Sequence, residues 1–171
     1  MFIDKLTEES ENLRLKFNFL RGATVHSFAA AEFMMKSYLL ALTDDERFDD
    51  GGGYSHKIEK LIRNFRLSFK KNNFFQTTCD DVNLLIEKFE VVIDDRNQFV
   101  HGLARLIVDK QQVEMKRYLP NKNGVDIIIK TYNLETMEDS VKIFDEICQA
   151  IILLVMKLDD TLGLGLKEPV S

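Results

Sequence analysis

The sequence predicts a mainly α-helical fold, a helical bundle with a small antiparallel β-meander inserted before the C-terminal helix. Three observations carry this. Apolar residues recur at helical spacing over most of the chain. The period drops to two between residues 103 and 132 and returns to helical from Leu134. Two Pro and eight Gly in 171 residues leave few breakers within long helices.

In order, residues 4–20 place Leu6, Leu13, Phe17 and Leu20 on one stripe among charges, the pattern of an amphipathic helix. Residues 23–42 form a second helical pattern on Val25, Phe28, Met35, Leu39 and Leu42, with Arg21-Gly22 as a kink or junction. Residues 43–55, rich in Asp and Gly, read as a flexible surface loop. Their three glycines lack the Gly-Lys-Ser/Thr that a phosphate-binding loop requires. Ser55 is placed to cap a third helix whose stripe is Ile58, Ile62, Phe65 and Phe69. Lys70 to Thr77 is a connection. The fourth helix starts near Thr78 or Asp80, buries Val82, Leu85, Phe89, Val92 and Phe99, and stops at His101-Gly102.

Leu103 to Val108 reads as a strand. Val113, Met115, Arg117 and Leu119 then alternate with Gln112, Glu114, Lys116 and Tyr118. Pro120 to Gly124 is a hairpin turn, and Val125, Ile127 and Ile129 alternate with Asp126 and Lys130. A final helix over Leu134 to Leu162 carries Val141, Phe144, Ile147, Ile151, Leu154 and Leu158 on one face. Ile143, Ile152 and Leu153 make it apolar on a second side, which suits a bundle centre or a subunit interface. The expected organisation is one domain over 1–162, with 103–132 as the inserted meander and 163–171 as a loose tail.

Thirteen Phe and no Trp point to a core of Phe with aliphatic residues. A net charge of −5 argues against a broad basic surface that binds nucleic acid without specificity, though not against a local basic cleft. Cys79 and Cys148 belong to no Cys-x-x-Cys or Cys/His cluster and read as reduced thiols, Cys148 buried. The N-terminus lacks the shape of a signal peptide. The longest apolar run, Ala150 to Met156, falls short of the roughly 20 residues needed to span a bilayer. The expectation is a cytoplasmic protein without membrane contact. His26, His56 and His101 lack metal-ligand spacing, and no Ser or Cys sits in a nucleophile motif, so neither metal nor cofactor is expected.

The chemistry concentrates in Arg96-Asn97-Gln98-Phe99-Val100-His101-Gly102. Phosphate chemistry without a metal needs a fixed cation and a group that moves protons. On a helical wheel Arg96 falls within the apolar stripe between Val92 and Phe99 and therefore needs a partner. Glu32, within the stripe of the second helix, is the favoured one; Lys36 at i+4 is the alternative partner for Glu32. His101 lies about 140° round from Arg96, so the two share a site only if Arg96 reaches round or the helix unwinds at Gly102. The negative helix end suits an imidazolium there. Arg-x4-His spacing alone says little, because Arg21 and His26 repeat it; the Asn, the two apolar residues and the Gly separate the second case. Asp94-Asp95 reads as a solvated face, since neighbouring residues on a helix diverge.

This run resembles the motif of HEPN domains (higher eukaryotes and prokaryotes nucleotide-binding), Arg-x(4–6)-His and often Arg-Asn-x-x-x-His, late in a helix of a bundle. Glu32 within Ala-Ala-Ala-Glu-Phe-Met-Met is similar to an acidic residue of many members, and the order of helices, motif, short strands and long helix also occurs there. The resemblance implies a homodimer through the motif helix and the C-terminal helix, with both motifs facing one cleft. For active members it implies metal-independent RNA cleavage by the RNA's own 2′-OH. On that reading His101 is the general acid or base, Arg96 stabilises the phosphoryl oxygens, Asn97 orients the phosphate or His101, and Glu32 supports Arg96. Arg105, Lys88, Lys116 and Arg117 would guide the RNA backbone. The implied roles are a toxin or antiphage defence effector with a cognate antitoxin or partner protein. The alternatives are a non-catalytic dimeric HEPN module that binds RNA, a nucleotide or a protein, and a purely structural pairing. Members neutralised by adenylylation carry Tyr two residues after the His; Leu103 stands there, so that mode of control has no basis here.

Overall fold

The computed structural model describes residues 2–72 and 79–166, with side chains from Glu8 to Asn72 and from Asp80 to Leu166. It is mainly helical, with a three-stranded antiparallel sheet before the last helix. The helices are α1 (Phe2–Thr43), α2 (Ile58–Lys71), α3 (Cys79–His101) and α4 (Leu134–Leu162). The strands are β1 (Leu103–Ile107), β2 (Gln112–Asn121) and β3 (Gly124–Asn133), in the order β1-β2-β3. The connection expected over Lys70 to Thr77 is helical through Lys71, and residues 73–78 lie outside the described residues.

Arg21-Gly22 is not a junction. One α-helix of 42 residues runs through it. A lone Gly costs a helix only about 1 kcal/mol, and buried Leu20 and Thr24 on either side anchor this turn. Thr24 Oγ1 donates to the Leu20 carbonyl at 3.0 Å.

The chain divides into two compact units, one of residues 1–26 and 92–145, the other of 27–91 and 146–171. The core of the first contains Leu13, Phe17 and Leu20 of α1, Phe99 of α3, Val113 and Met115 of β2, and Leu134 and Met137 of α4. Leu106, Val108, Tyr132 and Val141 pack against it. The sheet therefore buries one face on helices, as a half-buried antiparallel sheet must.

The second unit is built on aromatic residues. Phe28 and Phe89 stack at 4.8 Å between centroids, while Tyr38, Phe65 and Phe69 form a triad at 5.2–5.8 Å. Met35, Leu39, Leu42, Leu61, Ile62, Val82 and Ile86 are also buried there, with Cys148, Ile151 and Val155 of α4. Cys79 starts α3, and its side chain lies outside those described.

The Asp/Gly segment after α1 is pinned rather than loose. Buried Asn64 donates to the carbonyls of Gly52 and Gly53 at 3.0 and 2.7 Å. Asn72 accepts from the Asp49 N–H at 2.9 Å and donates to the Asp49 carbonyl at 2.7 Å. Gly51 has φ +66°, and a Cβ there would strike the Asn64 carbonyl, so this position requires Gly. Ser55 is not the cap of α2. Its Oγ accepts from the Lys57 N–H at 3.2 Å in a turn one step earlier, and Lys57 holds the N-cap position without a side-chain bond. Residues 163–166 are also tied, with Asp159 Oδ1 accepting from the Gly165 and Leu166 N–H groups at 2.8 and 3.3 Å; residues 167–171 lie outside the described residues.

In the meander the hairpin turn is tighter than Pro120 to Gly124. Pro120 pairs with Val125 and Asn121 with Gly124, leaving Lys122-Asn123 as a two-residue loop. The alternation on β2 holds through Val113, Met115 and Arg117, which are buried, and stops at Leu119, which is exposed toward the hairpin. On β3, Val125, Ile127 and Ile129 face outward, each more than half exposed. Register decides this: Ile129 pairs with Lys116 and Ile127 with Tyr118, the outward residues of β2, while Lys130 and Tyr132 share the inner face with Met115 and Val113. Among the described residues no helix is long and apolar enough to cross a membrane.

Candidate functional site

The first unit holds Arg96, Asn97, His101 and Arg105; Glu32 and Lys88 belong to the second. Helix α3 ends at His101, where the Gly102 N–H donates to the Gln98 carbonyl at 2.8 Å. Gly102 is not among the glycines with positive φ. Close approach is what demands it: a Cβ would strike the Gln98 carbonyl and lie 2.9 Å from Met115 Cε. Gly102→Ala should cost about 1–3 kcal/mol by overpacking, and its urea midpoint should fall with an unchanged m-value. A midpoint equal to wild type would show that the chain turns here without needing the space.

Arg96 is half-buried, and its Nη1 donates to Asn97 Oδ1 at 2.9 Å. This fixes which end of the Asn97 amide is which, leaving its NH2 as a donor for another group. His101 is exposed as the last residue of α3. The structure thus keeps the division expected from the wheel, with a half-buried Arg96 and an exposed imidazole. Arg105 is exposed on β1, which leaves α3 directly through Gly102.

The fully inward polar residue of α3 is Gln98, at 0 % exposure. Its Nε2 donates to the Met115 carbonyl of β2 at 2.7 Å and reaches the Ile128 carbonyl of β3 at 3.5 Å. The apolar stripe of α3 does not reveal this, because the meander covers a second side of the helix.

Asp94 and Asp95 keep the solvent access expected of them, at 54 % and 40 % side-chain exposure, but both are also paired. Arg117, at 7 % exposure, donates Nη2 to Asp94 Oδ1 at 2.8 Å. Lys130 Nζ lies 2.8 Å from both Asp94 Oδ2 and Asp95 Oδ1, and the Tyr132 hydroxyl donates to Asp95 Oδ1 at 3.0 Å. Adjacent carboxylates diverge on a helix, but the inner face of the twisted sheet reaches both. Arg117 is thereby spent on structure and is not available to guide RNA, whereas Lys116 faces outward with its Nζ over the Tyr118 ring at 5.6 Å. The clue was present in the alternation that put Arg117 beside Val113 and Met115. A cation in a buried strand register needs a carboxylate.

The Lys130 hydrogen bond, reinforced by Arg117, holds the Asp94 carboxyl below its usual 3.8 despite partial burial. Burial presses the Lys130 ammonium downward, but Asp94 and Asp95 together carry it above its ordinary value. Burial and then the Asp95 carboxylate push the Tyr132 phenol up. A depressed carboxyl contributes stability that is present above the unfolded value of about 3.9 and is lost as pH falls through the folded one. Stability should therefore fall more steeply from about pH 5 to about pH 3 in wild type than in Asp94→Asn. Urea unfolding at both values checks this, and equal slopes would remove Asp94 from the acid response.

In the second unit, Glu32 accepts from Lys36 at 2.8 Å, the i+4 partner, with both side chains mostly buried. Lys88 is exposed on α3. In the first unit, Arg21 of α1 donates Nη2 to the Val100 carbonyl at 3.3 Å, at the end of the motif helix. Among the described residues no group of three or more His, Cys, Asp or Glu is arranged to hold a metal ion. Comparison with family models, curated proteins and solved structures finds no match to this chain.

Proposed function

We propose that this chain is a HEPN-type, metal-independent endoribonuclease, a cytoplasmic toxin or antiphage defence effector that works as a homodimer. The observation that carries the reading is the end of α3: an exposed His101, with Arg96 and Asn97 joined one turn earlier on the same helix. RNA suits these groups because its 2′-OH is an internal nucleophile. The 2′-oxygen forms a bond to phosphorus while one His101 takes its proton. The bond from phosphorus to the 5′-oxygen breaks, and a second imidazolium, from the other protomer, protonates the leaving oxygen. Arg96 and the Asn97 NH2 stabilise the phosphoryl oxygens as their charge grows. The products are a 2′,3′-cyclic phosphate and a 5′-hydroxyl.

Apolar exposure supports a dimer through α3 and α4: Val91 of α3 is 77 % exposed, and Ile143, Leu153 and Met156 of α4 are 50–63 % exposed. The second reading is a non-catalytic dimeric HEPN module that binds RNA, a nucleotide or a partner protein such as an antitoxin. The net charge of −5 favours it over a broad RNA grip. The test is purified protein with total RNA and EDTA, beside the Arg96→Ala/His101→Ala variant. Cleavage by wild type alone, leaving 2′,3′-cyclic phosphate ends, supports the nuclease. No cleavage by a folded dimer transfers the assignment to the binding module.

A further inference from the structure

An anion drawn to His101 meets two obstacles. The C-terminal end of a helix carries partial negative charge on its last carbonyls, which repels phosphate. The motif's own cation, Arg96, lies about 140° round the helix, bonded to Asn97, and must reach round to share a phosphate with His101. A second cation beside His101 would answer both.

Helix α1 supplies one. The Arg21 guanidinium reaches the Val100 carbonyl, which belongs to the peptide unit joining Val100 to His101. Leu20 and Thr24, both buried, fix this turn of α1 against the core of the first unit. Arg21 is half-buried, and among the described residues it has no carboxylate partner; the 3.3 Å bond to Val100 uses one of its five N–H groups. Arg21 keeps access to solvent and has N–H groups left to donate, and its fork geometry matches two phosphate oxygens.

We infer that Arg21 is a substrate-binding residue of the His101 site, a second cation that neutralises the carbonyl end of α3 and holds the phosphate of a single-stranded RNA beside the imidazole. This rests on the nuclease reading for its ligand, but its test does not require cleavage. A mixed-sequence 2′-O-methyl RNA oligonucleotide, which has no attacking hydroxyl, is titrated into wild type, Arg21→Gln and Arg21→Lys at several salt concentrations. Thermal melts of all three proteins accompany the titrations.

Arg21→Gln should bind roughly tenfold more weakly, and its slope of log affinity against log salt should be shallower by about 0.7, the signature of one lost single-strand phosphate contact. Arg21→Lys should recover the slope, because it keeps the charge. On unmodified RNA, Arg21→Gln should raise KM far more than it lowers kcat. Equal affinity and slope for wild type and Arg21→Gln would overturn the inference, as would no binding by folded wild type. A melt that shifts without a change of slope would also overturn it, leaving Arg21 as a helix cap. Wild type that binds the methylated RNA through Arg21 yet leaves unmodified RNA intact would defeat the nuclease and keep Arg21 as a ligand contact.

Discussion

His101→Ala should slow single-turnover RNA cleavage by about 10²–10⁴-fold, the usual worth of a positioned acid or base. That corresponds to roughly 3–5 kcal/mol of transition-state stabilisation at about 1.4 kcal/mol per decade. The loss should appear in kcat, because in the proposed mechanism the imidazole would move protons and add little to ground-state binding. Arg96→Ala should cost about 10²–10³-fold through lost stabilisation of the phosphoryl oxygens. The double variant should fall well short of the product of the two, since both act on one step. His26→Ala is the control. His26 stands in the same spacing from Arg21 as His101 from Arg96, and is exposed on α1. Its variant should cleave at the wild-type rate. A His101→Ala protein as active as wild type would remove the imidazole from the chemistry, whatever the state of the rest of the motif.

Arg117→Ala should destabilise the first unit by about 2–3 kcal/mol, measured by urea unfolding. Breaking a fully buried pair costs about 3–5 kcal/mol; the figure is smaller here because the Asp94 side chain is 54 % exposed and keeps Lys130 as a partner. Most of the loss comes from emptying a packed position beside Met115 on the inner face of the sheet. Arg117→Met fills that space without the charge and should recover more than half of the loss. If Ala and Met variants unfold at the same urea concentration, the ion pair and not the packing holds the sheet to α3. RNA binding should be little affected in either variant, because Arg117 is turned toward Asp94 and away from solvent.

Much of the scaffold was legible in the sequence. The span of α4, the end of α3 at His101 and the meander between them follow from a change of hydrophobic period, which a single strand or helix displays by itself. The errors share another cause. Gly22 looked like a break because Gly is a poor helix former, yet flanking burial outweighs about 1 kcal/mol. Alternation put Val125, Ile127 and Ile129 on one face of β3 without deciding which way it turns, and pairing with Lys116 and Tyr118 set it outward. The Asp/Gly segment looked flexible because Asn64 and Asn72, which hold it, lie on and just beyond another helix.

The same division runs through the candidate site. Residue order alone placed Arg96, Asn97 and His101 within two turns and split Arg96 from His101 round the helix, because the 3.6-residue repeat is a local property of the backbone. Only the tertiary structure decided which polar groups meet. It sent Gln98 to the Met115 carbonyl, gave Asp94 and Asp95 to Arg117, Lys130 and Tyr132, and brought Arg21 to a carbonyl 79 residues away. Those pairings depend on strand register and on helices packed across long stretches of chain, and local periodicity carries no information about either.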